Sequence, residues 1–108
     1  MRSMRPIPRS ALPDVMSVRV PMDDGTFGEP ALICNVRFER TQKASGDGHR
    51  SADAGQGKVF VDAVNSVGAF DVPAGSRVAV AGRSMFVTES HRCEDLFGRV
   101  HHWELKVR

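Results

Sequence analysis

The sequence contains no tyrosine, one tryptophan and two cysteines in 108 residues. Cys34 and Cys93 are too few and too far apart to form a disulfide framework. Cys34 falls in an alternating apolar run and reads as a small buried apolar residue, while Cys93 lies in a polar turn. No apolar run approaches the roughly 20 residues that a transmembrane helix needs. The N-terminal stretch carries Arg but lacks an apolar h-region, so it does not read as a secretory signal. No segment holds a 3.6-residue apolar period with caps, which argues against helices. A net charge of only +2 gives no global electrostatic case for nucleic acid. Phosphate-cradling glycine motifs are also missing: Gly46, Gly48, Gly55 and Gly57 precede no helical pattern.

What is present alternates with a period of two, the signature of half-buried strands. Met16, Val18 and Val20 share a face in Asp14–Val20, and Leu32, Cys34, Val36 and Phe38 share one in Ala31–Arg40. In Val59–Val64 both faces carry apolar residues, which marks a central strand or one covered by another chain. Arg77–Ala81 and Met85–Glu89 form a hairpin around Gly82-Arg83, with Val78 and Val80 facing Met85 and Val87. His91–Gly98 is a polar connection, and Arg99–Val107 is the last strand, with His101, Trp103, Leu105 and Val107 on one face. Asp23-Asp24-Gly25 and Pro73-Ala74-Gly75 supply turns. The expected fold is all-β: a small barrel or sandwich of about six strands. Apolar content of 41% and charged content of 26% suit one globular domain.

Two segments stand outside that pattern. Residues 1–13 form an expected extended arm holding three of the six prolines (Pro6, Pro8, Pro13) and Arg2, Arg5 and Arg9. Residues 14–108 form the β domain, interrupted by a loop at 41–57 that contains no Val, Ile, Leu, Met or aromatic residue. Connections this long are uncommon in compact domains.

The candidates for chemistry are weak. His91, Cys93, His101 and His102 lie close in sequence, but their spacing matches no zinc finger. On a regular strand His101 and His102 point to opposite faces, so no metal site is expected. Cys93, His91 and Glu94 are neighbours in a turn, and adjacency is not a catalytic triad. Asp23-Asp24 and Glu94-Asp95 read as solvated turn residues. No enzyme activity and no cofactor are expected. Arg19, Arg37 and Arg40 could line a surface with accessible Phe60 and Trp103, which would suit single-stranded nucleic acid.

Several stretches in order resemble the phage minor capsid proteins of head–tail joining regions. They are Arg5-Pro6-Ile7-Pro8 with Leu12-Pro13, Asn35-Val36-Arg37-Phe38-Glu39, and Val59-Phe60-Val61-Asp62 with Val64-Asn65-Ser66. Pro73-Ala74-Gly75-Ser76-Arg77-Val78, Ala81-Gly82-Arg83 and His101-His102-Trp103-Glu104-Leu105 complete the series. Aromatics that the family often shows after the third strand's Phe are replaced or missing, and the 41–57 loop aligns with nothing in it.

The resemblance implies a structural virion protein of the neck, assembled in the host cytoplasm, with no membrane partner. It would form a homo-oligomeric head-closure or stopper ring, with portal or adaptor above and tail-completion or tail-tube protein below. The 41–57 loop would face the channel, where Lys43, His49, Arg50 and Lys58 would meet packaged double-stranded DNA. Arg2, Arg5 and Arg9 would reach a neighbouring subunit. The competing reading is a free β-barrel module that binds single-stranded nucleic acid or a protein partner.

Overall fold

The computed structural model describes residues 5–41 and 56–108. Six strands form a closed antiparallel barrel in the order β1-β2-β3-β6-β5-β4. They are β1 (Asp14–Arg19), β2 (Ala31–Arg40), β3 (Gly57–Asp62), β4 (Arg77–Val80), β5 (Arg83–Glu94) and β6 (Val100–Val107). The one helical turn among the described residues is a 3-10 turn at Arg9–Ala11. The all-β expectation therefore holds, in its barrel form. The period-two pattern places Met16, Val18, Val59, Val61, Val78, Val80, Met85, Val87, Leu105 and Val107 in the lumen, all buried. Closure pairs both edges of nearly every strand, so few unpaired backbone groups remain to template further strands.

Three local readings are corrected. In β2, Ile33 and Val36 are buried, while Leu32 is 62% exposed. Asp14 pairs with Val36 but Val15 pairs with Cys34, which leaves Asn35 as an extra residue, at φ 61. This β-bulge reverses the strand's phase, so Leu32 and Cys34 do not share the inward face of Val36. Next, β3 ends at Asp62, because the Asp62 carboxylate accepts the amides of Val64 (2.9 Å) and Asn65 (2.7 Å) and turns the chain. Finally, the β4–β5 turn is Ala81-Gly82, with Val80 opposite Arg83 and both turn residues at positive φ (53 and 74).

The first half of the expected polar connection at 91–98 is strand. β5 runs on to Glu94 and pairs with β6 from Val87 to its end. Its polar sequence hides this, because β5 leaves the barrel after Val87 and most of its following residues are exposed. Thr88 is bulged there, between the pairs Val87–Val107 and Glu89–Lys106. From Thr88 onward β5 pairs with β6 alone, which makes this an open strand edge.

The arm, from residue 5, lies against its own barrel. Ile7 donates its amide to Asp62 (2.9 Å), and its carbonyl accepts from Asn65 Nδ2 (2.7 Å). Leu12 is buried. The Asp62 amide donates to the Ser66 hydroxyl (2.8 Å), and that hydroxyl donates to the carbonyl of the bulged Asn35. The Asp62 carboxylate thus fastens the arm to the 62–68 turn, and its backbone amide, through Ser66, ties that turn to the β2 bulge.

Candidate functional site

The end of the barrel where β2 stops and β3 starts is the root of the 41–57 loop. Arg40 pairs with Gly57, and the Thr41 amide donates to the Gln56 carbonyl at 2.9 Å. A shallow groove at this end is lined by Thr41, Lys58, Thr88, Glu89, Lys106 and Arg108, among others. Lys58 Nζ sits 3.4 Å from Glu104 Oε1, so a carboxylate already faces its charge. Lys43, His49, Arg50 and Arg2 lie outside the described residues. Arg5 and Arg9 are exposed, and the Arg5 carbonyl accepts from His101 Nε2 at 2.5 Å.

Among the described residues, the β5–β6 hairpin brings Cys93, His101, His102 and Glu104 together. Cys93 stands directly opposite His102, and Glu94 pairs with Val100, which leaves His101 as a second bulged residue. The bulge re-aims one side chain, so the expectation that His101 and His102 point to opposite faces fails. Their rings meet edge to face with centroids 5.0 Å apart, and their Nδ1 atoms are 2.8 Å apart. His102 Nε2 is 3.0 Å from Glu104 Oε2, and Cys93 Sγ is 3.9 Å from the same oxygen. Burial and the Glu104 carboxylate push the Cys93 thiol up, whereas the bond from His102 and the nearby Lys58 pull Glu104 below its usual range. His91 stands apart on the exposed strand, 2.7 Å from Glu89.

At the hairpin tip, Leu96 and Phe97 are 77% and 50% exposed. Asp95 Oδ1 accepts the amides of Phe97 (2.8 Å) and Arg99 (3.0 Å), and these bonds hold its carboxyl below the ordinary value. Arg99 lies over the Phe97 ring at 5.6 Å. Because Asp95 and Glu104 are both depressed in the fold, their ordering effect is complete above the ordinary carboxylate range. It is lost as pH falls through their lowered values. Amide-exchange protection of Phe97 and Arg99 should therefore be full above about pH 5 and decay below about pH 4. Protection that instead rose on acidification would refute this account of the tip.

The surface imagined for single strands does not assemble. Arg19 ends β1 beside Arg77 of β4, whereas Arg37 and Arg40 lie past the other end of β1, because β1 and β2 are antiparallel. Arg37 faces Glu39 at 3.3 Å. Trp103 is 8% exposed and donates its indole N–H to Asp71, so it offers no stacking platform. The sequence reading missed the hairpin's extension because it followed apolar alternation, which a strand exposed on both faces lacks. Cross-strand pairing of Cys93 with His102 has no local signal at all.

Outside the hairpin, Val15, Leu32 and Val67 are each more than half exposed. They sit where β1, β2 and the 62–68 turn meet on the outer wall, with Cys34 paired to both Val15 and Val67. Residues 20–107 match the model of a family described as minor capsid protein. No curated protein and no solved structure matches the chain.

Proposed function

We propose a place for this chain within the virion from the premise that it belongs to the phage minor capsid protein family. The family is structural, and its members are components of the particle. Within the particle, the chain is a head-closure or stopper subunit: a ring of barrels in the neck, between portal or adaptor and tail. The observation that carries this reading is the loop root. Thr41 and Gln56, which flank residues 42–55, stand together at one end of a closed barrel, held by the Thr41–Gln56 bond and the Arg40–Gly57 pair. A closed barrel can hold such a segment at the lumen of a ring without using it for folding. The exposed apolar wall at Val15, Leu32 and Val67 and the open β5 edge supply surfaces for neighbours.

Deletion of residues 42–55 tests the proposal. Thr41 and Gln56 are already within hydrogen-bonding distance, so a two-residue glycine link closes the hairpin. The purified variant is expected to melt as the parent does. Particles carrying it should lose packaged DNA or fail to join tails. Fully infectious, DNA-retaining particles would rule out this role for residues 42–55.

A further inference from the structure

We propose that Cys93, His102 and Glu104 form a transition-metal site suited to Zn²⁺, with His101 fixing the tautomer of His102 from behind. The inference does not depend on the neck placement. Among the described residues, these three bring their donor atoms within 4.8 Å of one another. Cys93 and His102 are a cross-strand pair, and Glu104 is two residues beyond His102 on the same face. Tetrahedral Zn²⁺ with Zn–S of about 2.3 Å and Zn–N and Zn–O of about 2.0 Å places donors roughly 3.3–3.6 Å apart. The observed separations of 3.0 Å (His102–Glu104) and 3.9 Å (Cys93–Glu104) bracket that range, and all three donors lie within 4.8 Å of one another. A thiolate and a carboxylate together neutralise the dication, and imidazole completes the mixed sulfur, nitrogen and oxygen set that zinc accepts.

The second observation is the hydrogen count on the two histidines. The Arg5 carbonyl can only accept, so His101 Nε2 carries a proton and His101 Nδ1 presents a lone pair. If His102 Nε2 donates to Glu104, then His102 Nδ1 also presents a lone pair, 2.8 Å from the first. Two lone pairs at that distance repel. A cation on His102 Nε2 moves the ring proton to Nδ1, which then donates to His101 Nδ1. The chain from cation to His102 to His101 to the Arg5 carbonyl is then matched at every link, the arrangement by which metal-bound histidines are oriented. Lys58 opposes the cation but is held on Glu104 Oε1, leaving Oε2 for the metal. The Cys93 S–H bond breaks, an S–Zn bond forms, and the proton leaves to solvent. The site pins the hairpin that stands off the barrel and, through Arg5, links it to the arm.

The rival resolution is an extra proton shared by the two Nδ1 atoms, with Glu104 as its counter-ion. Untagged protein, reduced and titrated anaerobically with Zn²⁺ and Co²⁺, separates the two. The expected result is stoichiometric zinc retained after dialysis. With Co²⁺, tetrahedral d–d bands and a thiolate-to-metal charge-transfer band should appear. Cys93→Ser should abolish the charge-transfer band, and Glu104→Gln should weaken binding. His101→Phe should weaken it by about 10- to 100-fold, although that side chain does not touch the ion. His91→Ala should change nothing. Melting curves in chelator confirm that each variant is folded. Only trace zinc on folded protein, a charge-transfer band that survives Cys93→Ser, or histidine ring ¹⁵N shifts showing three protons on the pair and no response to Zn²⁺ would each overturn the proposal.

Discussion

Asp62→Ala is expected to lower the unfolding free energy by about 4 kcal/mol. Asp62 is fully buried and accepts three backbone amides: Ile7, Val64 and Asn65. A hydrogen bond to a charged group contributes about 1.5–3 kcal/mol, and its loss also strands the donor. The sum is not reached, because exposed Val64 lets water replace part of the lost partner. Asp62→Asn should cost about half as much, since its amide must turn an N–H toward at least one of the same donors. Urea unfolding measures both. The Ala variant should also release the arm, seen as faster proteolysis before Ile7. If it unfolds within about 1 kcal/mol of the parent, the buried hub is not what holds this seam.

Gly68→Ala is expected to cost about 3 kcal/mol. Gly68 has φ +85, and a Cβ there would lie 2.6 Å from the Leu32 carbonyl oxygen. The positive φ alone costs an L-residue about 1–2 kcal/mol. The remainder comes from displacing β2, whose Cys34 exchanges backbone bonds of 2.9 and 3.0 Å with Val67. Gly25 is the control: it has φ +89, but nothing lies within 4 Å of its Cβ position. Gly25→Ala should therefore cost only about 1 kcal/mol, and the difference between the two variants measures the close approach. Equal losses would show that backbone conformation alone makes Gly68 necessary.

These two positions lie on the same seam, and neither is marked by pattern. Asp62 follows an alternating run and looks like the polar member of a strand. Only its placement beside Ile7, which is far away in the chain, shows that it is a hub. The barrel itself was far more legible. Alternation in Met16–Val18, Val59–Val61, Val78–Val80 and Trp103–Val107 marked the lumen side correctly, because a strand with one buried face must repeat every two residues. The order of the matched stretches carried the family in the same local way.

The loop at 41–57 was legible as a gap in that alternation, and its ends fell at the strand ends to within a residue. The candidate metal cluster was not. Its histidines were visible, but a regular strand separates adjacent side chains onto opposite faces. The bulge at His101 that brings them together exists only because Cys93 and Glu94 pair across to His102 and Val100. The bulge at Asn35 likewise exposes Leu32 against the strand's own pattern.

By itself, then, the sequence determined the all-β class, the lumen-facing residues of the regular strands, the turn regions and the capsid family. All of these rest on short-range periodicity or ordered motifs. The tertiary structure decided barrel closure, the bulges at Asn35, Thr88 and His101, the Asp62 seam and the convergence of Cys93, His102 and Glu104. Each of these depends on which strand lies alongside, and period-two alternation does not encode the register between strands distant in the chain.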